Sequence, residues 1–508
     1  MKEKTIVLNG KDLTIDDLSK VAREGYKVEI SEEGKNKLHE SRKLVFDLAD
    51  SNVPVYGFNT GVGWNKDKRV FKDFFQEYNT NLIRAHCVAI EPEASIEEVR
   101  AIMLTRLNTL LCGCTGIQPE VAFMYAEMLN SDVTPVMPER GSVGEADIAC
   151  LSHIGLTMLG EGDAYYNGFK MPAKEALEKA GLNSVILGPK DGLAIVSSNA
   201  LAAGEGALVV KDVEDLLDIA DIIYALSLEG LNGNTSPLDP KTHEVRPFPG
   251  QRYSAEKITK YLEGSYIWEP DWKKPVQDPL SFRGSAHVHG SIRDALEYVT
   301  KYLTIQMNSS DDNPCVILDE RRMISCSNFE PTTWVLGFEM LGIALSHLSK
   351  VSCYRTMKLS NPDFTKLPRF LSPADNVICY GTIQKAFTSL DAEIRHLSNP
   401  STSDFFSVAG DIEDHANNSP YVVQKTRKIV DNLRYILGIE MLHAVQAIDL
   451  RNDIHQGRGT KIAYETIREV IPFYHKDRNL TEDIRKAYEL IKSNKILNRV
   501  TEEMSKNE

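Results

Sequence analysis

No stretch limits the fold more tightly than RKIVDNLRYILGIEMLHAVQAIDLR, Arg427–Arg451. It holds helical periodicity for about seven turns, with no proline and a single glycine, Gly438. A rod that long is buried along its length only inside a bundle of similar rods. SIEEVRAIMLTRLNTLLCGC (Ser95–Cys114) sets Val99, Ile102, Met103, Leu107 and Leu110 on one helical face. Ser95 with Glu98 three residues later is a capping-box signature. DALEYVTKYLTIQMN has the same period. VLGFEMLGIALSHL (Val335–Leu348) contains Glu339 and His347, too short and too polar for a bilayer, and reads as a buried core helix. Strand signals are few: KTIVLNG, YKVEI, and NPCVILDERRMIS, which predicts a short hairpin around Asp319–Arg322. The expectation is a mainly α chain with small β hairpins near the N-terminus.

Composition narrows the function. Apolar residues are 42% and charged residues 26% of 508, which suits a globular chain with a large core. The net charge of −14 argues against nucleic-acid binding, which needs basic patches to neutralise phosphates. No stretch reads as a membrane span, and MKEKTIVLNGKDL lacks a hydrophobic signal region. The eight cysteines form no framework, and Cys112 and Cys114 lack a zinc-knuckle spacing, so reduced thiols in a cytoplasmic protein are expected.

Loops of Gly, Pro and Asn between the helices carry the candidate chemistry. In YGFNTGVG, Tyr56 sits on a glycine-rich loop, either as an acid or base closing over a substrate or as a packing residue. In VQDPLSFRG, Arg283 offers a planar fork for a carboxylate or a helix-end salt bridge. His287 and His289 are two apart and do not share a helix face, so no metal site is expected. Asp411, Glu413, Asp414 and His415 form either a solvated turn before a helix capped by Ser419–Pro420 or a buried carboxylate site. Lys385, flanked by apolar positions, is either a solvent-facing lysine or one drawn inward to serve as acid or base.

Taken in order and spacing, YGFNTGVG, NLIRAH, RLNTLLCGCTG, PERGSVG, MLGEGDA, VQDPLSFR, NSSDDNP, SNF and Glu413–His415 resemble the aromatic amino-acid ammonia-lyase and aminomutase family over nearly the whole chain. The resemblance implies a single catalytic unit over 1–508. A loop-rich part would cover about 1–200 and a helical bundle about 201–508, in an elongated fold of the histidine ammonia-lyase/fumarase-like type. It also implies a homotetramer with sites shared between subunits. It assigns Tyr56 as catalytic loop tyrosine and Arg283 as carboxylate anchor. His86 and Glu413 would face the substrate ring, and Asn313 and Phe329 would line the site.

One motif departs from the pattern. In the family, Gly-Ser-Val-Gly precedes an Ala-Ser-Gly triplet that cyclises to an electrophilic methylidene-imidazolone, followed by Asp. Here GSVG runs directly into Glu145, Ala146 and Asp147, one residue short and without the serine. Ser197 stands where the family has Asn, and Leu280 where it has Tyr. Either the chain is a non-catalytic paralogue, or its substrate needs no electrophile. A quaternary ammonium removes that need, because it stays cationic at every pH and leaves as a neutral amine. The retained Tyr56, Arg283 and Glu413 favour an enzyme. The resemblance to the electrophile-free branch implies 1,2-elimination of trimethylamine from ergothioneine to give thiourocanate, with hercynine or another betaine as alternative. Lys385 and Glu413 would activate the ring, while Glu145 and Asp147, with Trp64, could receive the cation. No cofactor and no metal are expected.

Overall fold

The computed structural model describes residues 4–49, 56–70, 74–452 and 454–506. The chain is mostly helical and forms two compact units. The first comprises Met1–Lys211, Val299–Phe338 and Pro400–Gln424. The second comprises Asp212–Tyr298, Glu339–Asn399 and Lys425–Glu508.

The first unit holds all the named strands among the described residues. Thr5–Leu8 and Lys27–Ile30 pair in parallel, joined through the helix Ile15–Glu24, so this pair is not a hairpin. Thr14 caps that helix by accepting from the Asp17 N–H, and Gly25 closes it in the left-handed region at φ +69°. True hairpins lie further on, at Asp163–Tyr166 with Phe169–Pro172 and at Cys315–Ile317 with Arg322–Ile324, the latter where its sequence signal falls.

The helix Ile96–Leu110 opens with the Ser95–Glu98 capping box. It is more than an amphipathic surface rod: every residue from Glu98 to Leu110 is buried, including Arg100 and Arg106. Those guanidinium groups are tolerated because each is saturated. Arg100 donates to the Val21 and Leu129 carbonyls at 3.0 and 3.1 Å. Arg106 donates to the Ala194 carbonyl and reaches Asp311 at 3.1 Å and Asp312 at 3.6 Å.

The second unit is helical and has its own polar core. Arg355 donates to Glu440 at 2.5 and 2.8 Å, and Ser227 and Ser352 donate to the same carboxylate. His289 pairs with Asp221 at 2.7 Å, fully buried, while His287 lies against the His243 ring.

Two sequence expectations need correction. The run Val335–Leu348 falls in the helix Thr332–Leu359, but Leu336, Met340 and Ile343 are exposed, so only one face is buried. The stretch Asp191–Leu231 is long and apolar enough to cross a membrane, which the sequence did not suggest, and its apolar window is wholly buried in the folded chain. All eight cysteines are unbridged.

Candidate active site

A cavity of about 640 Å³ in the first unit gathers most of the candidate residues. Tyr56, His86, Glu145, Asn313, Phe329 and Glu413 all line it, although they come from six separate segments. Its walls are otherwise largely apolar, with Trp64, Ile148, Val196 and Ile412.

Tyr56 is held by its own loop. Gly63, in the left-handed region at φ +54°, turns its N–H onto the Tyr56 oxygen at 2.9 Å. A Cβ at Gly63 would meet the Glu413 carboxylate at 3.6 Å, so this turn sits between the phenol and that carboxylate. Burial pushes the Tyr56 hydroxyl above its ordinary pKa; the Gly63 N–H pulls the other way, and the Glu413 charge adds to burial. Lys66 is the one lysine or arginine lining the cavity among the described residues, and its ammonium pairs with Asp67 at 3.3 Å.

His86 ends the helix Phe75–His86, and its Nδ1 lies 2.7 Å from the Leu82 carbonyl. A carbonyl only accepts, so Nδ1 carries the hydrogen of this bond and Nε2 is the ring nitrogen left for another partner. The Asn313 carbonyl oxygen accepts from the Cys326 N–H at 3.0 Å, which fixes the amide at the cavity edge.

The loop that departs from the family motif is pinned on both sides. Gly144, at φ +92°, packs so closely on Asn417 and Ser419 that a Cβ would lie 2.7 Å from the Ser419 nitrogen. Ala146 is left-handed at φ +66°, a conformation costing about 1–2 kcal/mol for a residue with a Cβ. Two bonds hold it there: the Ala146 N–H donates to the Asn199 side chain at 3.0 Å, and the Asp147 N–H to the Ser198 carbonyl at 2.7 Å. Asp311 anchors the two residues that hold this turn, accepting from the Ser198 hydroxyl at 2.7 Å and the Asn199 N–H at 2.9 Å.

This reversal separates two acids that the sequence grouped together. Glu145 faces the cavity, and its Oε1 is buried without a hydrogen-bond partner among the described residues. Burial, with the charges of Glu330 and Glu413, pushes its carboxyl up to about 8. Asp147 turns inward instead. It is fully buried, accepts from the Ser142 hydroxyl at 2.6 Å and the Ala202 N–H at 3.2 Å, and is pushed by burial to about 7. The expectation that Asp147 meets a substrate is therefore corrected: its carboxyl ties the loop to the helix Ala200–Leu231.

Arg283 and Lys385 are not among the lining residues. Both belong to the second unit, Arg283 half-buried at the end of the helix Leu280–Arg283 and Lys385 exposed near the start of Gln384–Leu397. Neither makes an ion pair among the described residues. Sequence reasoning missed Glu330, one residue beyond SNF, and Asn199, whose side chain joins the Ala146 N–H to the Phe329 carbonyl.

Glu145, Glu330 and His415 each offer a ligand atom within 4.8 Å of the others. A second group, Glu98, Glu139 and Glu205, is buried away from this cavity. Glu98 serves its helix cap, and burial pushes the Glu205 carboxyl well above its ordinary pKa.

Residues 13–469 match the aromatic amino acid lyase family, and the chain belongs to it: it is a carbon–nitrogen lyase by descent and by fold. It is similar to the histidine ammonia-lyases of Treponema denticola (40% identical, 97% of each chain) and Myxococcus xanthus (37%, 98% of each). Among solved structures it is similar to ergothionase from Treponema denticola in complex with desmethyl-ergothioneine sulfonic acid. That likeness has 50% identity and a TM-score of 0.95, over 97% of this chain and 100% of that one. Histidine ammonia-lyase from Trypanosoma cruzi follows at 29% identity and a TM-score of 0.91, over 98% and 95%.

Proposed function

We propose that this chain eliminates trimethylamine from ergothioneine, giving thiourocanate, without a prosthetic electrophile or a metal. The observation that carries the reading is the loop Gly144–Asp147: where the family builds its electrophile, a carboxyl group faces a cavity that still contains Tyr56. The likeness to ergothionase supports the same substrate.

The chemistry balances without a cofactor. Tyr56, as phenolate, takes the β-proton. The C–H electrons form the double bond, and the C–N pair leaves on nitrogen as neutral trimethylamine, which collects a proton from water or from Tyr56. The charge developing beside the ring is accepted by the ring itself, hydrogen-bonded by Glu413 and Lys385, while Arg283 anchors the carboxylate. Arg283 and Lys385 lie outside the lining of the single-chain cavity. The reading therefore includes a homotetramer in which neighbouring subunits supply them. Burial raises the Tyr56 hydroxyl's pKa, and the positive charge that this substrate brings would favour the phenolate.

The test compares ergothioneine with histidine, following the conjugated product by ultraviolet absorbance and the amine released. Trimethylamine from ergothioneine, with histidine nearly inert, is the expected result. Faster release of ammonia from histidine would overturn it.

A further inference from the structure

We propose that Glu145 is the seat of the substrate's cationic nitrogen, with Glu330 as a fixed second charge, and that this seat selects a quaternary ammonium over a primary ammonium or a metal ion. The inference rests on the proposed elimination but concerns a subsite that can be tested without turnover.

The first argument is placement. The backbone on each side of Glu145 is committed, Gly144 against Ser419 and Ala146 to Asn199. The side chain of Glu145 is what this loop presents to the cavity, and its Oε1 has no donor among the described residues. Glu330 and Glu413 act on it directly, and the other charged and titratable groups lining the same cavity among the described residues are Asp414, His415, His86, Tyr56 and Lys66. Acids outnumber the one lysine, and that lysine is turned to Asp67. Such a corner is deficient in positive charge until something brings it.

The second argument is the kind of cation. A metal ion or a primary ammonium needs lone pairs directed at it. Glu330 has one oxygen engaged: its Oε1 accepts from the Thr332 N–H at 3.1 Å and the Asn417 amide at 3.0 Å, and the Thr332 hydroxyl donates to the same atom, which leaves Oε2. His415 Nε2 is 3.5 Å away from Oε1, on a side chain that is 65% exposed. Glu330 thus has Oε2 left, and that with Glu145 Oε1 is fewer directed oxygens than a hard metal ion takes. A quaternary ammonium asks for no directed lone pair, since it has no N–H to donate and spreads its charge over methyl groups. Those methyl groups pack against apolar and aromatic walls, here Trp64, Phe329, Ile412 and Tyr56.

The third argument is kinetic. The nitrogen loses its charge as the C–N bond breaks, so an ion pair with Glu145 stabilises bound substrate more than the transition state. Glu145 should therefore act on KM. Its carboxyl is protonated below about pH 8, and the cation binds the ionised form. Affinity should rise about tenfold per pH unit up to that point and then level off.

The experiment uses the whole chain and two probes: choline, and its uncharged isostere with carbon in place of nitrogen. Binding is measured by ligand-observed NMR for the parent and for Glu145→Gln, across the pH range. The parent should prefer choline, increasingly as pH rises; Glu145→Gln should lose both the preference and the pH dependence. With ergothioneine, Glu145→Gln should raise KM by about tenfold or more with a much smaller change in kcat. An unchanged preference for choline in Glu145→Gln, or none in the parent, overturns the cation seat. Zinc displacing choline at equimolar concentration, lost in His415→Ala, would make the corner a metal site and also overturn it. A Glu145-dependent preference for choline in a chain that leaves ergothioneine untouched would uphold the seat and sink the proposed reaction instead.

Discussion

Replacing Arg106 by Met keeps the length of the side chain and removes the charge from the centre of the first unit. Arg106 stands 3.1 Å from Asp311 and 3.6 Å from Asp312, and all three are fully buried. Without it, the two carboxylates share one buried ammonium, Lys190, which is 3.6 Å from Asp312. Breaking a buried pair by removing one partner costs about 3–5 kcal/mol. Burial already raises the Asp312 carboxyl, against the pull of Lys190 and Arg106. Losing Arg106 raises it further, so in the variant the folded state holds a proton that the unfolded chain releases near its ordinary pKa. Stability lost to the substitution should then grow as pH rises past the parent's own raised Asp312 pKa toward the variant's higher one, by up to about 1.4 kcal/mol per pH unit for one group, and shrink toward acid. Trp334 reports on this network: its indole N–H donates to Gln306 at 3.2 Å, and Gln306 donates to Asp311 at 3.3 Å. It is the buried tryptophan of the four, in the same unit as Arg106. Urea unfolding followed by its emission, at fixed protein concentration and two pH values, measures the effect. A loss below about 1 kcal/mol, or one that does not change with pH, would refute the charge argument.

Tyr56→Phe should bind substrate nearly normally and lower kcat by about two to four powers of ten; a near-normal rate removes Tyr56 as the base. Lys385→Met should cut turnover of ergothioneine by at least about tenfold while leaving the thermal transition of the exposed helix surface unchanged. Turnover within a few-fold of the parent would return Lys385 to the role of a surface lysine.

The long helices were legible because their period is local. Ser95 and Glu98 declare the start of Ile96–Leu110 within four residues. What the sequence could not declare is that the same helix is buried all round, because the partner that makes Arg106 tolerable is Asp311, 205 residues away. The candidate site divides in the same way. Tyr56, His86, Asn313, Phe329 and Glu413 converge because each belongs to a motif whose order and spacing are retained. Glu145 and Asp147 looked equivalent on paper. A left-handed Ala146 sends one into the cavity and the other into the core, and no spacing rule foresees a positive φ at alanine. Glu330 escaped notice because a lone acid after an aromatic residue has no signature; its meaning lies in Thr332 and Asn417, which occupy its oxygen.

On the proposed reading, the short loop and the family's electrophile are opposite solutions to one problem, and this gives a last prediction. An electrophile takes the lone pair of an amine; a quaternary nitrogen has none to give. A carboxylate attracts a nitrogen that is already positive and does nothing to improve a neutral leaving group. Replacing Glu145–Ala146 by Ala-Ser-Gly would restore the triplet ahead of Asp147. Yet the loop is fixed at Gly144, where a Cβ would already collide with Ser419, and at Asp147, whose N–H is tied to the Ser198 carbonyl at 2.7 Å. The extra residue has to bulge into the cavity between those anchors, without the bond that now holds Ala146 to Asn199. The three residues should therefore fail to reach the bent geometry that cyclisation demands. The intact mass should equal that of the encoded chain, histidine should remain inert, and KM for ergothioneine should rise as it does for Glu145→Gln. A mass lower by two waters, together with deamination of histidine, would show that the anchors do not set the chemistry of this loop and that the missing residue alone does.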